Sequence, residues 1–226
     1  MKTPENRKEQ GNMKNELSVS RNHLMQAQVS TVQHGVKRGS PPIRIIAAHK
    51  YVSPRSRPIT PEEAEVRRLA YALKIPTSEA CTIAAQALAP LLDSAEAPAT
   101  HIVLMPVPAS TGTVDANRHI ANELAAEIHR RYPARRVQVK VTVGRQHPVE
   151  SSCVRRRRNM RGLPLEEHAM IRVAGPLTAT NTAYYFVDNM ATTGTTLAAC
   201  RLALGFGEGI VWADAGKTPE QHNRRN

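Results

Sequence analysis

The thirteen residues Tyr184-Tyr185-Phe186-Val187-Asp188-Asn189-Met190-Ala191-Thr192-Thr193-Gly194-Thr195-Thr196 join three features that bear on chemistry. An apolar run delivers an acid, a turn of small and hydroxyl residues follows, and a helix-forming sequence begins. The backbone N–H groups and hydroxyls of such a turn converge on one point, and the helix N-terminus adds a dipole that favours an anion. A phosphate fits there. An ionised Asp188 only accepts hydrogen bonds, which suits a sugar hydroxyl next to that phosphate. The plainer reading is a strand, a turn and a helix whose threonines do no more than cap it.

Two further stretches carry candidate chemistry. In Leu104-Met105-Pro106-Val107-Pro108-Ala109-Ser110-Thr111-Gly112 an apolar strand ends in small residues, whose backbone N–H groups can approach anionic oxygens closely. Arg155, Arg156, Arg157 and Arg158 form a basic run with three readings. It could be a solvated charge run, or a lid that brings guanidinium groups to an anionic leaving group and excludes water. As a nucleic-acid patch it would lack stacking partners, because the surrounding connection has no Phe, Tyr or Trp.

The Tyr184–Thr196 stretch resembles the phosphoribosyl-pyrophosphate (PRPP) motif of type I phosphoribosyltransferases, a hydrophobic strand followed by two acids, two small apolar residues and Thr-Thr-Gly-x-Thr. Asp188 matches the first acid, Met190 and Ala191 the apolar pair, and Thr192 to Thr196 the loop. Tyr185 is bulkier than usual, and Asn189 replaces the second acid. The strand end at Pro106–Pro108 and the run Arg156-Arg157-Arg158-Asn159-Met160-Arg161-Gly162 precede the motif in the order seen in ComF-like phosphoribosyltransferase-domain proteins. The likeness covers residues 101–215, without that family's four-cysteine module or its Gly-Phe-Asn-Gln signature.

The resemblance implies transfer of a 5-phosphoribosyl group from PRPP to a nitrogenous base, with Mg²⁺ carried by the PRPP. It implies that Asp188 and Asn189 hold the ribose, and that Ala191, Thr192, Thr193, Gly194, Thr195 and Thr196 surround the 5′-phosphate. Ala109, Ser110, Thr111 and Arg145 would face pyrophosphate, with Arg156 and Arg158 acting from the lid. Enzymes of 6-oxopurines usually carry an Asp where Thr192 stands, which points away from that subclass. Asn189 keeps a hydrogen-bond acceptor and loses a charge, so a non-catalytic PRPP-binding regulator is the first alternative. A basic nucleic-acid-binding accessory protein on the same fold is the second.

The elements that must position these residues follow from local signals. Thr60-Pro61-Glu62-Glu63 has the form of a capping box and predicts a helix to about Leu73. A second helix is expected from Thr77 or Ser78 to near Pro90. Ile43–Ala48, Ile102–Met105, Tyr184–Val187 and Ile210–Ala213 read as strands. Val137, Val139, Val141 and Val143 alternate with polar residues as one half-exposed strand, and Ala169–Val173 is a further candidate. Asp115 can cap a helix bearing Ile120, Leu124 and Ile128 on one face. Thr195 to Leu204 forms a helix ending near Gly205 or Gly207.

Alternating strands and helices predict an α/β fold with its site at strand carboxyl ends. The resemblance sharpens this to a three-layer α/β/α phosphoribosyltransferase-like fold with a mainly parallel sheet. In it the 183–188 and 102–106 strands are neighbours, and the strand near 169–173 is antiparallel. The layout expected is a flexible basic tail at 1–40, a domain at 41–215 with its core at 101–215 and a hood or helical cover at 41–95, and a tail at 216–226.

Composition sets the outer bounds. The chain has 226 residues with 41% hydrophobic content, enough for a real core. Its net charge of +12 points to a polyanionic partner, and the excess lies in residues 1–40 and 145–172, each with seven Lys/Arg against three Glu. Three cysteines without C-x-x-C spacing exclude a disulfide framework, and the nine histidines show no paired-ligand spacing, so no dedicated metal site is expected. His101, His119 and His168 read as strand or helix-surface residues, Cys200 as core, and Trp212 as packing in the last strand. No signal-type or spanning apolar segment occurs, which predicts a cytoplasmic protein, with a homodimer among the assemblies it allows and weak nucleic-acid binding through the tails.

Overall fold

The computed structural model describes residues 30–34, 43–53, 56–92, 100–160, 163–174 and 181–216. Most of the two expected tails, and Arg161 and Gly162 of the basic connection, lie outside the described residues.

The side-chain alternation of each strand builds two separate cores. Ile102, Leu104, Tyr185, Val187, Ile210 and Trp212 point to one face of a sheet, while Val103, Met105, Phe186 and Val211 point to the other. The sheet has six strands in the order β1 (Ser30–His34), β2 (Ile43–Lys50), β8 (Glu208–Asp214), β7 (Thr182–Ala191), β3 (His101–Pro106) and β4 (Arg136–Val139). β1 is antiparallel to β2, and all other neighbours are parallel. Helices α1 (Pro61–Ala72), α2 (Ser78–Leu88) and α3 (Asp115–Arg131) cover the first face. Helix α5 (Thr195–Leu204) covers the second, beside an antiparallel ribbon of β5 (Val143–Arg145) and β6 (Met170–Arg172). The result is a mostly parallel sheet between two layers.

The local signals explain where the helices begin. Thr60 accepts from the Glu63 amide while the Glu63 carboxylate accepts from the Thr60 amide, the reciprocal bonds of a capping box, with Pro61 in the first turn. Thr77 caps α2 by accepting from the Ala80 N–H. Asp115 does not cap α3: Val114 is the cap residue, without a side-chain bond, and Asp115 lies in the first turn where its charge meets the dipole. Cys200 is fully buried as expected. Trp212 is buried too, its indole N–H donating to the Val66 carbonyl and tying α1 to β8.

Four differences from the sequence reading have physical causes. The valine alternation at 137–143 is not one strand. β4 is an edge strand paired only with β3, and past Val139 the chain leaves that edge to form β5. Gly144 permits the close pairing there, since a Cβ at that position would stand 2.9 Å from Val173 Cγ1. The 169–173 strand is antiparallel, but within this ribbon rather than the main sheet. Within residues 41–95, expected as a hood or helical cover, two helices do cover one face of the sheet, but β2 is a strand of the main sheet itself. β1 falls within the stretch read as a tail, because pairing with β2, not apolar periodicity, makes it a strand.

The basic connection contains a short helix, α4 (Ser152–Arg157). No helix among the described residues is long and apolar enough to cross a membrane.

Candidate functional site

The two central connections diverge. From β3 the chain passes through α3 on one face to β4, whereas from β7 it passes through α5 on the opposite face to β8. A crevice must open between the carboxyl ends of β3 and β7, the topological switch point at which open α/β sheets bind ligands. A cavity of about 410 Å³ lies there, with Pro108, Ala109, Ser110, Asn117, Arg145, Asp188, Asn189 and Thr196 in its wall.

β7 reaches further than Tyr184–Val187, running through Asp188 to Ala191 because β8 pairs with it as far as Ala191 opposite Asp214. Asp188 therefore leaves a rigid, twice-paired strand. Its Oδ1 accepts from the Asn189 amide at 2.8 Å and from Asn117 Nδ2 at 3.1 Å. Burial pushes its carboxyl up to about 6, against the opposing pull of those two donors and of the Arg145 and Lys74 charges. Asn189 also lines the cavity, and its Nδ2 donates to the Ala70 carbonyl at 3.0 Å.

After Ala191 the chain bends through Thr192 and Thr193 to Gly194, which adopts φ +69° immediately before α5. Only glycine takes that left-handed conformation without cost. Thr193 and Thr195 share a hydroxyl hydrogen bond of 2.8 Å at the mouth of the helix. Thr196 reaches the cavity wall. Ala191 at the end of β7, the turn of Thr192, Thr193 and Gly194, and Thr195 at the start of α5 lie beside it and do not line it.

The loop after β3 is a tight turn. The Ala109 amide donates to the Thr113 carbonyl and the Gly112 amide to the Ala109 carbonyl, so the Ala109 N–H serves the turn. Ala109 and Ser110 line the cavity, while Thr111 pairs with the Thr113 hydroxyl away from it. Arg145 spans the back wall, donating to the carbonyls of Ala109 at 2.7 Å and His168 at 2.8 Å. It clamps the loop to the β5–β6 ribbon, and burial lowers its guanidinium from the usual value.

The structure thus brings Asp188, Asn189, Ala109, Ser110, Arg145 and Thr196 to one cavity. Arg158 stands at the rim, 2.6 Å from the Glu150 carboxylate, with Arg155 at 3.9 Å from the same group. The Arg156 side chain lies outside the described residues.

Among the wall residues that the sequence did not assign to the site are Lys74, Asn117, Glu150 and His168. Lys74 follows α1, Glu150 precedes α4, and Asn117 sits on α3. His168, expected on a surface, is only 5% exposed, and its Nδ1 has no hydrogen-bond partner. Burial first, then the Arg145 charge, lower its imidazole to about 4, so it is neutral near pH 7. One signal was readable: Asn117 precedes Ile120, Ala121, Leu124 and Ile128 on the same helical face, a polar residue in an apolar row.

Fold and cavity define an α/β protein with a crevice at the switch point of a mostly parallel sheet. No protein-family model matches the chain, and no curated protein matches it.

Proposed function

We propose that this chain binds PRPP with Mg²⁺ and transfers its 5-phosphoribosyl group to a nitrogenous base, on a phosphoribosyltransferase-like version of the α/β/α fold. One observation carries the reading. The acid Asp188, the small-residue loop at Ser110 and Thr196 at the start of α5 meet at one cavity, at the ends of the two strands on which the PRPP-like motifs lie.

In this reading Asp188 accepts from ribose hydroxyls, and the turn from Thr192 to Thr196 receives the 5′-phosphate at the N-terminus of α5. Ser110 and the loop held by Arg145 face the pyrophosphate. The bond from C1 of the ribose to the pyrophosphate oxygen breaks with its electron pair leaving on pyrophosphate. A bond from C1 to the base nitrogen forms, and the proton that nitrogen gives up passes to the departing pyrophosphate. The centre passes through an oxocarbenium-like state, which a buried carboxylate and excluded water favour.

Mg²⁺ supplies charge neutralisation on pyrophosphate. No group of three or more His, Cys, Asp or Glu that could hold a metal gathers among the described residues. In this reading the ion would come in with PRPP itself, and no residue of the chain is assigned to hold it.

A second reading is favoured by Asn189. One N–H of its amide is engaged with Ala70 and the side chain brings no charge to the sugar, which suits a PRPP-binding regulator without transferase activity. Pyrophosphate release from PRPP and Mg²⁺, assayed over a panel of purine and pyrimidine bases, separates the two. Release dependent on one base supports transfer. Saturable binding without release supports the regulator.

A further inference from the structure

We propose that Asn117 is a positioning residue that fixes the rotation of the Asp188 carboxylate, so that Oδ2 alone faces the cavity as its acceptor. The inference rests on the reading of Asp188 as the sugar-binding acid, and deepens it.

The geometry begins with burial. Asn117 is 7% exposed and sits in the first turns of α3, on the row that otherwise carries Ile120, Ala121 and Leu124 into the core. A buried amide in that row is costly unless its hydrogen bonds are made. Nδ2 makes two, to the Val107 carbonyl at 2.8 Å and to Asp188 Oδ1 at 3.1 Å. Both partners are acceptors, so the nitrogen, not the oxygen, must be the atom directed at them.

Val107 follows β3, and its own N–H donates to the Val187 carbonyl of β7. Asn117 therefore bridges both lips of the crevice from the helix behind them. Oδ1 of Asp188 receives this bond and the Asn189 amide, which together hold the carboxylate by one oxygen. The other oxygen is left to the cavity that Asp188 lines. A carboxylate held in this way is preorganised for a diol, whereas a freely rotating one must be ordered when ligand binds.

The test is read first without ligand, on the full chain. Asp188 is followed by carboxyl-carbon nuclear magnetic resonance across pH, assigned by its loss in Asp188→Asn. The charged or titratable groups acting on it are Arg145 from β5, Lys74 after α1 and Cys200 on α5, and all three remain in every variant. Asn117→Ala removes the donor and should raise the Asp188 midpoint by about one pH unit, with PRPP affinity near pH 7 falling about tenfold. Asn117→Asp places a like charge there and should raise the midpoint further. An unmoved midpoint in a folded Asn117→Ala chain would overturn the proposal.

Should these variants fail to fold, the parent still decides. The Asn117 side-chain amide protons should shift with the Asp188 titration, and that response should vanish in Asp188→Asn. A parent amide indifferent to Asp188 overturns the proposal equally. If the titrations behave as expected while PRPP does not bind the parent, the carboxylate geometry stands and the ligand assignment alone falls.

Discussion

Asn189 donates its side-chain amide to the carbonyl of Ala70, 119 positions away in the chain, and so ties the carboxyl end of β7 to α1. This bond gives Asn189 a reason to be an amide. An acid would keep the shape, lose the donor, and set negative charge against a carbonyl oxygen. Asn189→Asp should therefore destabilise the fold by about 1–3 kcal/mol in urea titration, without a gain in any PRPP-dependent rate. A faster, equally stable variant would show that the Ala70 contact is dispensable and that the missing acid limits the chemistry.

Gly194 stands at φ +69° at the entrance to α5. Gly194→Val puts a branched side chain into a left-handed conformation and into the mouth of the turn, at a cost of roughly 1–2 kcal/mol. The unliganded fold should survive with a lowered Tm, and stabilisation by PRPP should disappear. Equal stabilisation of variant and parent by PRPP would remove the phosphate from this turn.

Glu150 holds Arg158 and Arg155 at the rim of the cavity, where a polyanion would otherwise meet them. With 67% of the Arg158 side chain exposed, the pair is worth no more than ~1 kcal/mol. Glu150→Gln should accordingly raise affinity for inorganic pyrophosphate about fivefold by calorimetry. Replacing Arg155 to Arg158 by Gln should lower it. If that fourfold change instead flattens the salt dependence of DNA or RNA binding and leaves pyrophosphate affinity alone, the run is a nucleic-acid surface.

His168 and Asp188 make opposite contributions to stability with pH. The His168 midpoint is lowered in the folded chain to about 4, so between there and its unfolded value the unfolded state holds the extra proton. Its contribution is present above about pH 6.5 and lost as pH falls toward 4, roughly 3 kcal/mol in all. Asp188, raised to about 6, favours the folded state at low pH, and that stability is lost as pH rises through 6. The effects are separable by variant. His168→Gln should lose less stability than the parent between pH 7 and 4, measured by urea unfolding at each pH; an identical loss would mean that His168 titrates normally.

Much of the frame is written locally. The reciprocal bonds of Thr60 and Glu63 involve residues three apart, and the apolar runs of β3 and β7 need no distant information to be read as buried strands. Asp188 and the Thr-rich turn are likewise contiguous. The rest of the wall is not. Lys74, Asn117, Glu150 and His168 arrive from four separate segments, and although Asn117 stands out as a polar residue in an apolar row, nothing local shows that a strand 71 positions away ends beside it at Asp188. β1 and the break after Val139 were illegible for a related reason: edge pairing is decided by the neighbouring strand, not by the strand's own alternation.

The proposed transfer requires PRPP to enter the crevice between β3 and β7. Titration calorimetry of the full chain with PRPP and Mg²⁺ at pH 7.5, beside Asp188→Asn, tests this directly. Saturable one-to-one binding by the parent is expected, weakened at least tenfold in Asp188→Asn, and weakened in the parent itself as pH is lowered through 6. No binding by the folded parent, or equal binding by both chains, would contradict it.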